Sequence, residues 1–459
     1  MKIAIVESKP SRNNYVDVFG NAWPFEQYSL ASDPELKKVL KKDVDIDMDP
    51  DKFDWIILIG AEPLKFYTKA TKVMEYSGTL VDDKFLPLIN PAMVSFKPET
   101  KRLLESSVSN IKQYISGDKK KAEIGEDFIG IQDEQEAIDY IQQVLDSNYD
   151  FFGIDSETSG LYPRDGHILG ISLCGSPDTG AYIDADVISE KVEEKLQELF
   201  NWKRAVFHNA KFDIPMFEYH FNVSISRFED TMLMHYVIDE RPGYHGLKQL
   251  AMKYTDYGDY EKPMYEWMEQ YRKEHGIRKD DFKWEWIPFD VMKNYAAIDA
   301  TVTFMIFQKF ERALQGGNPN LLKVYKDILI PACRFLMKVQ DNGVPFDRAR
   351  LAAAQSLLTN DIQNNTDILF GMKEVRAFHD DYGEFNANSV IQLRKLFFDY
   401  IGLKPTGIKT EKGAHSLGAE ALGILSKEHE VPNMILGIRK DAKLKNTYID
   451  KIIPQLNRD

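Results

Sequence analysis

Along this 459-residue chain the β-type apolar runs fade near Gly316, and that change bounds the fold more tightly than any other feature. Before it, short β-branched and aromatic runs alternate with helical patterns. After it the β-type runs fade, and long stripes at helical spacing take over. Alternating strands and helices ask for a sheet covered by helices, whereas unbroken helical stripes ask for helix-on-helix packing. A chain this long exceeds one ordinary core, at roughly one domain per 150 residues. Three units are expected: a small α/β domain over 1–118, an α/β domain with a mixed sheet over 124–315, and a mostly helical segment over 316–459.

The first unit is read from KIAIVES, DWIILIG and KFLPLIN, with the helical ETKRLLESSVSNIKQYI closing it near Ser116. That order suggests a parallel sheet. The charged, Gly-flanked GDKKKAEIGED that follows reads as a linker, with the boundary between Gly117 and Asp127. The second unit opens on Asp133 as an N-cap with Glu136 three positions on, ahead of the stripe Ile138, Ile141, Val144 and Leu145. FFGIDSE, HILGISLC and GAYIDA then read as a strand meander, RAVFHN as a further strand, KFDIPMFEYHF as a helix, and Phe289 to Leu314 as a long helix. In the third unit LKVYKDILIPACRFLMKVQ and FDRARLAAAQSLLTNDIQNNTDIL are helices joined by the turn DNGVP.

Composition excludes some classes and leaves others open. Apolar residues at 43% and charged residues at 28% belong to a packed protein rather than a disordered one. Cys174 and Cys333 stand far apart with no zinc or disulfide spacing, which suits a reducing, cytoplasmic setting. No apolar run is long enough for a membrane span, and the amino terminus lacks the apolar centre of a signal peptide. A net charge of −14 opposes phosphate binding over the whole surface but permits a local basic track.

Three elements carry candidate chemistry. In FFGIDSETSGL, Asp155 and Glu157 lie two apart on a strand and so share one face, an arrangement that repels itself unless a cation intervenes and that hard divalent metals favour. In HNAKFD, Asn209 ends a strand and Asp213 enters the first turn of the next helix, where the dipole favours its charge. In NYAAIDATVTF, Tyr295 and Asp299 are four apart on one helical face, the acid among apolar residues where an unpaired charge is expensive. Alone, each has an ordinary reading as an exposed strand pair, a helix-start acid or a helix-surface pair.

Together, on strand, helix start and helix, they resemble the exonuclease motifs of the DEDDy superfamily. DSETSGL, HNAKFD, FEDTMLMHYVID, HGLKQLAMKY and YAAIDATVTF resemble the proofreading domain of family A, DNA polymerase I-like DNA polymerases of phage type, with an RNase H-like fold. NGVPFD, FNANSVIQL and RKDAKLKNTYIDKIIPQLNRD resemble the stretch that follows there, the start of the polymerase region and thumb. The resemblance implies 3′-5′ removal of nucleotides from DNA by two-metal hydrolysis, with Mg²⁺ as the cofactor and Mn²⁺ also supporting activity. It implies that Asp155 bridges both ions, that Glu157 and Asp299 complete the site of the water-activating ion, and that Asp213 holds the second through waters. Tyr295 would orient the attacking water, and Thr158, Leu161 and Asn209 would touch the terminal nucleotides, Leu161 as an apolar wedge. The partner implied is DNA, as a single-stranded or frayed 3′ end and as primer-template, in the host cytoplasm for a phage protein.

No Arg-x-x-x-Lys-x-x-x-Phe-Gly nucleotide helix and no Val-His-Asp-Glu metal motif is found. Polymerisation is therefore not expected of this chain alone, and a second polypeptide carrying palm and fingers is one expectation, an excised fragment the other. After Ile401, Lys and Arg number 10 against 7 Asp and Glu, with Arg439, Lys440, Lys443 and Lys445 as candidate phosphate contacts. DWIILIGAEPLKFY and FLPLINPAM resemble late strands of uracil-DNA glycosylase-like domains. Asn90 stands where that family's motif has His, so an inactive fold of that type is expected over 1–118. Asp43 to Asp54 imitates a calcium loop but has Pro50 and Ile56 where Gly and Glu belong, so a solvated acidic loop is expected. The alternatives are a ribonuclease D-like RNA-trimming enzyme and a non-catalytic DNA-binding module.

Overall fold

Strand β1 (Ile3–Glu7) is buried along its whole length, because apolar side chains at its first four positions feed two opposite cores by turns. In the computed structural model, which describes residues 1–118, 128–177, 179–410 and 413–456, β1 lies in a four-stranded parallel sheet. Its partners are β2 (Glu26–Ser29), β3 (Trp55–Ile59) and β4 (Phe85–Leu88), in the order β2-β1-β3-β4. One face contributes Ile3, Ile5, Ile57 and Leu86 to a core closed by the helix Lys101–Ser116; the other contributes Ala4, Val6, Ile56 and Leu58. The polar β2 carries no strand pattern in the sequence. Its place is set by pairing with β1. Of the linker expected from Gly117 to Asp127, only residues 117 and 118 lie among the described ones.

The second sheet is mixed, in the order β10-β9-β6-β7-β8-β5. The meander is as expected, β6 (Phe151–Thr158), β7 (Ile168–Ser176) and β8 (Thr179–Asp184) pairing antiparallel, while β9 (Arg204–Phe207) lies parallel to β6. Two short strands go beyond the sequence reading: β5 (Ile129–Ile131) on the β8 edge and β10 (Phe228–Asp230) beside β9. Asp133 does cap the helix Glu134–Asp146, accepting from the amides of Gln135 and Glu136.

Glycines bring the long helix Phe289–Gly316 down onto this sheet. A Cβ at Gly153 of β6 would stand 2.2 Å from the Ala300 carbonyl oxygen, and one at Gly180 of β8 would stand 2.2 Å from that of Ala297. Only hydrogen fits at either position.

The chain forms two compact units, Met1–Asn342 and Gly343–Asp459. The packing break falls after Asn342 rather than near Gly316, because Tyr325, Cys333 and Met337 are buried in the cores of the first unit. Within the second unit the helices Lys373–Tyr382, Ala419–Leu425 and Glu430–Leu444 share a core around Phe378, Leu396, Leu422 and Ile435. The helix Arg348–Gly371 buries only Leu369 and leaves Leu357 and Ile368 exposed. Both cysteines are buried and neither forms a disulfide, the Cys174 thiol donating to the Ser176 carbonyl. Among the described residues no helix is long and apolar enough to cross a membrane. The Asp43–Asp54 stretch uses its acids as caps, Asp45 accepting from Ser32 and Asp49 from the Asp51 amide.

Candidate active site

Alternation along β6 puts Asp155 and Glu157 on the face that the long helix covers, and the close seat of that helix on Gly153 brings Asp299 over them. One oxygen from each of Asp155, Glu157 and Asp299 lies within 4.8 Å of the others. Glu157 and Asp299 are 6% and 4% exposed, while Asp155 is half-buried. Among the described residues this is the one group of acids, histidines or cysteines with metal-holding geometry.

Asp213 stands beside the trio rather than within it. It enters on the helix Ala210–His220, and its Oδ1 accepts from the Ser156 hydroxyl at 2.6 Å and the Ser156 amide at 3.2 Å. The start of that helix is fixed from below. Asn209 takes a left-handed conformation at φ 74°, and the buried Asp230 accepts from the amides of Asn209 and Ala210 while capping its own helix, Thr231–Ile238. Tyr325 in turn donates to Glu229 and accepts from the Asp230 amide. The FEDT portion of the FEDTMLMHYVID motif thus acts as a clamp that aims Asp213.

Burial is the largest influence on all four acids and pushes each carboxyl above its usual range. Asp213 rises to about 7 and Asp299 to about 8. Asp155 and Glu157 are likewise held well above the usual carboxylate range, burial being reinforced by like charge: the charged neighbours acting on Asp155 are Asp213, Asp299 and Glu157. Glu157 Oε1 is buried without a hydrogen-bond partner. A buried acceptor left unsatisfied among carboxylates is expensive unless a cation completes it. Hard divalent ions take oxygen ligands of this kind, so the residues present fit such an ion.

Tyr295 reaches Asp299 with its hydroxyl, and a second tyrosine that sequence reasoning missed, Tyr260, donates to Asp299 Oδ1. The Thr158 hydroxyl donates to the Gly160 carbonyl, and Leu161 stands 74% exposed just beyond it. The basic cluster near the carboxyl end is divided in use. Arg439 donates to the Leu417 carbonyl and Lys445 pairs with Asp450, while Lys440 and Lys443 face solvent. Nothing in the sequence flagged Ser156 or Tyr260, whose partners lie 57 and 39 residues away.

Residues 128–315 match the family described as 3′-5′ exonuclease of DNA polymerase A, and residues 362–459 match DNA polymerase family A. The chain is 38% identical to the DNA polymerase of Escherichia phage T5 across all of its own length and 56% of that protein's. It is 22% identical to the DNA polymerase of Bacillus phage SP01, with 88% of this chain and 51% of that one covered. Against DNA polymerase I of Chloroflexus aurantiacus it is 28% identical over 67% of this chain and 32% of the other. The chain therefore spans about half the length of the two phage relatives and a third of the bacterial one.

Proposed function

Because the chain belongs to family A of the DNA polymerases, carrying its 3′-5′ exonuclease region and the opening of its polymerase region, we propose that it trims the 3′ ends of DNA by hydrolysis at the acidic centre. The observation that carries this reading is the meeting of Asp155, Glu157 and Asp299 from β6 and the long helix, with a buried glutamate oxygen left for a cation.

The residues that would hold divalent ions are Asp155, Glu157 and Asp299, with Asp213 alongside; Mg²⁺ is the proposed ion and Mn²⁺ a substitute. When bound, such ions supply an acidified water and neutralise charge on the leaving 3′ oxygen. The protein's own part is positional. Tyr295 stays a neutral phenol, because burial and Asp299 raise its pKa, so its hydroxyl can hold the attacking water in line. Ser156 holds Asp213 in place. Leu161 presents an exposed apolar side chain on which a frayed terminal base can rest, and Thr158 and Asn209 are the other proposed contacts of the terminal nucleotides. A strand end must unpair to reach buried acids, and unpairing costs least at a mismatch, so preference for mispaired ends needs no sequence readout.

Lys440 and Lys443 are the proposed phosphate contacts of the second unit, and 1–118 is read as an accessory layer. Polymerisation would need palm and fingers, on this polypeptide or on another, in the cytoplasm of a host cell. The test is a comparison of 3′-labelled single-stranded DNA and RNA with Mg²⁺ or Mn²⁺. The chain should shorten DNA faster, and Asp155→Ala with Glu157→Ala should abolish this while leaving circular dichroism unchanged. Faster trimming of RNA, or trimming untouched by the double substitution, would overturn the proposal.

A further inference from the structure

Between the helices Leu247–Tyr254 and Lys262–His275 runs a short connection that no motif singles out. It faces two ways. Inward, Tyr260 is 3% exposed, its hydroxyl donates to Asp299 Oδ1, and its ring lies 6.3 Å from that of Tyr295 at an interplanar angle of 27°. Outward, its neighbours are gripped by the amino-terminal layer. The Tyr76 hydroxyl donates to Asp259 Oδ2 at 3.0 Å, and Asp82 pairs with Lys262. Lys248 closes the group from its own helix, 2.8 Å from Asp259 Oδ1 and 3.5 Å from Glu261 Oε2, with its ammonium 5.9 Å from the centre of the Tyr76 ring.

The outward grip is built with some strain. Asp82 and Asp83 both hold positive φ angles, 47° and 64°, a conformation that ordinary residues adopt at a cost of about 1 kcal/mol or more. That turn carries Asp82 to Lys262. Gly258, at φ +63°, supplies the bend that returns the chain toward Tyr260, and a Cβ there would come to 4.0 Å from the Leu80 carbonyl oxygen of the same layer.

A carboxylate on a helix can rotate, and a ligand that must be oriented during binding binds more weakly than one already fixed. Tyr260 occupies one oxygen of Asp299, which fixes the plane of the group over Asp155 and Glu157. We propose that Tyr260 is a positioning residue for Asp299, and that the amino-terminal layer sets its place through Tyr76 and Asp82. This layer then acts on the acidic centre across Asp259–Lys262. The inference rests on the exonuclease reading given above.

The test uses the full chain, with Mn²⁺ as the probe, its binding followed by the electron paramagnetic resonance of the free ion, and trimming rates measured from limiting to saturating Mn²⁺. Tyr260→Phe keeps the ring and removes only the hydroxyl. It should weaken Mn²⁺ binding by about tenfold and slow trimming at limiting Mn²⁺, with recovery at saturation. Tyr76→Phe combined with Asp82→Ala, far from the acids, should weaken binding by about threefold. The three substitutions together should be no weaker than Tyr260→Phe alone, since both act through one hydroxyl. Mn²⁺ binding within about twofold of the unchanged chain in Tyr260→Phe would overturn the positioning role, even if the melting temperature fell. Losses that multiply in the triple variant would overturn the part given to the amino-terminal layer. If the unchanged chain binds no Mn²⁺, the exonuclease reading falls and this one with it; if it binds and the variants do not shift the affinity, only this one falls.

Discussion

Replacing Gly153 by Ala adds one methyl group between β6 and the long helix, two residues before Asp155 on the same face. The new Cβ would stand 2.2 Å from the Ala300 carbonyl oxygen and 3.0 Å from the Phe304 Cβ. A carbon and a carbonyl oxygen approach to about 3.3 Å, so the helix must retreat by roughly 1 Å. Neither obstacle can swing aside, because one is backbone and the other is attached directly to it. Asp299 is the residue before Ala300 and moves with it. Ligand oxygens sit about 2.0–2.6 Å from a hard ion, so a displacement of that size takes Asp299 out of a shared coordination sphere with Asp155 and Glu157. The expected result is a stability loss of about 1–3 kcal/mol with trimming slowed on the order of a hundredfold. Single-turnover trimming of labelled single-stranded DNA, Mn²⁺ titration and thermal melting on one preparation measure all three. Gly423→Ala is the control: it lies within the helix Ala419–Leu425 with nothing within 4 Å of its added Cβ. It should gain up to about 1 kcal/mol and leave the rate unchanged. A folded Gly153→Ala variant whose rate and Mn²⁺ affinity stay within about threefold of the parent would refute the argument that helix seating sets the site.

Three further outcomes are expected. The acids of the centre ionise near 4 when unfolded, while in the metal-free fold Asp213 and Asp299 hold their protons to about 7 and about 8. The native state therefore binds more protons across that window, and stability falls as pH rises through it, by roughly 1.4 kcal/mol per pH unit for each proton retained. Melting in EDTA should decline from pH 5 to pH 8 and Mn²⁺ should flatten the decline as it replaces those protons; equal slopes with and without metal would contradict this. Arg204 lies 2.9 Å from both Glu229 and Glu311 and 3.0 Å from Asp150, so Arg204→Ala leaves the buried Glu229 with the Tyr325 hydroxyl but no cation and should cost about 3–5 kcal/mol in denaturant unfolding. A loss under about 1 kcal/mol would show the network to be surface-like. Leu161→Ala should slow trimming of paired ends more than of single-stranded ends, and equal slowing of both would remove its role as a wedge.

What could be read from the sequence was what neighbours in the chain decide. The meander β6–β7–β8 and the Asp133 cap rest on alternation and on a side chain meeting amides two and three residues on. The pairing of Asp155 with Glu157 follows from the pleat alone. The strands β2 and β10 were not legible because EQYS and FED are short and polar, and become strands by joining β1 and β9. The fold brings Asp155, Glu157 and Asp299 together, yet the sequence could not say that Asp213 is bound to Ser156 beside the trio, nor that Tyr260 touches Asp299. Both contacts are made by packing between distant segments. Charge counting near the carboxyl end could not show, for the same reason, that Arg439 donates to the Leu417 carbonyl and that Lys445 pairs with Asp450.

The most direct measurement is anomalous diffraction from crystals of the full chain soaked in Mn²⁺. Manganese is expected about 2.2 Å from oxygens of Asp155, Glu157 and Asp299. Manganese bound elsewhere at saturating concentration, with none between these three side chains, would contradict this expectation.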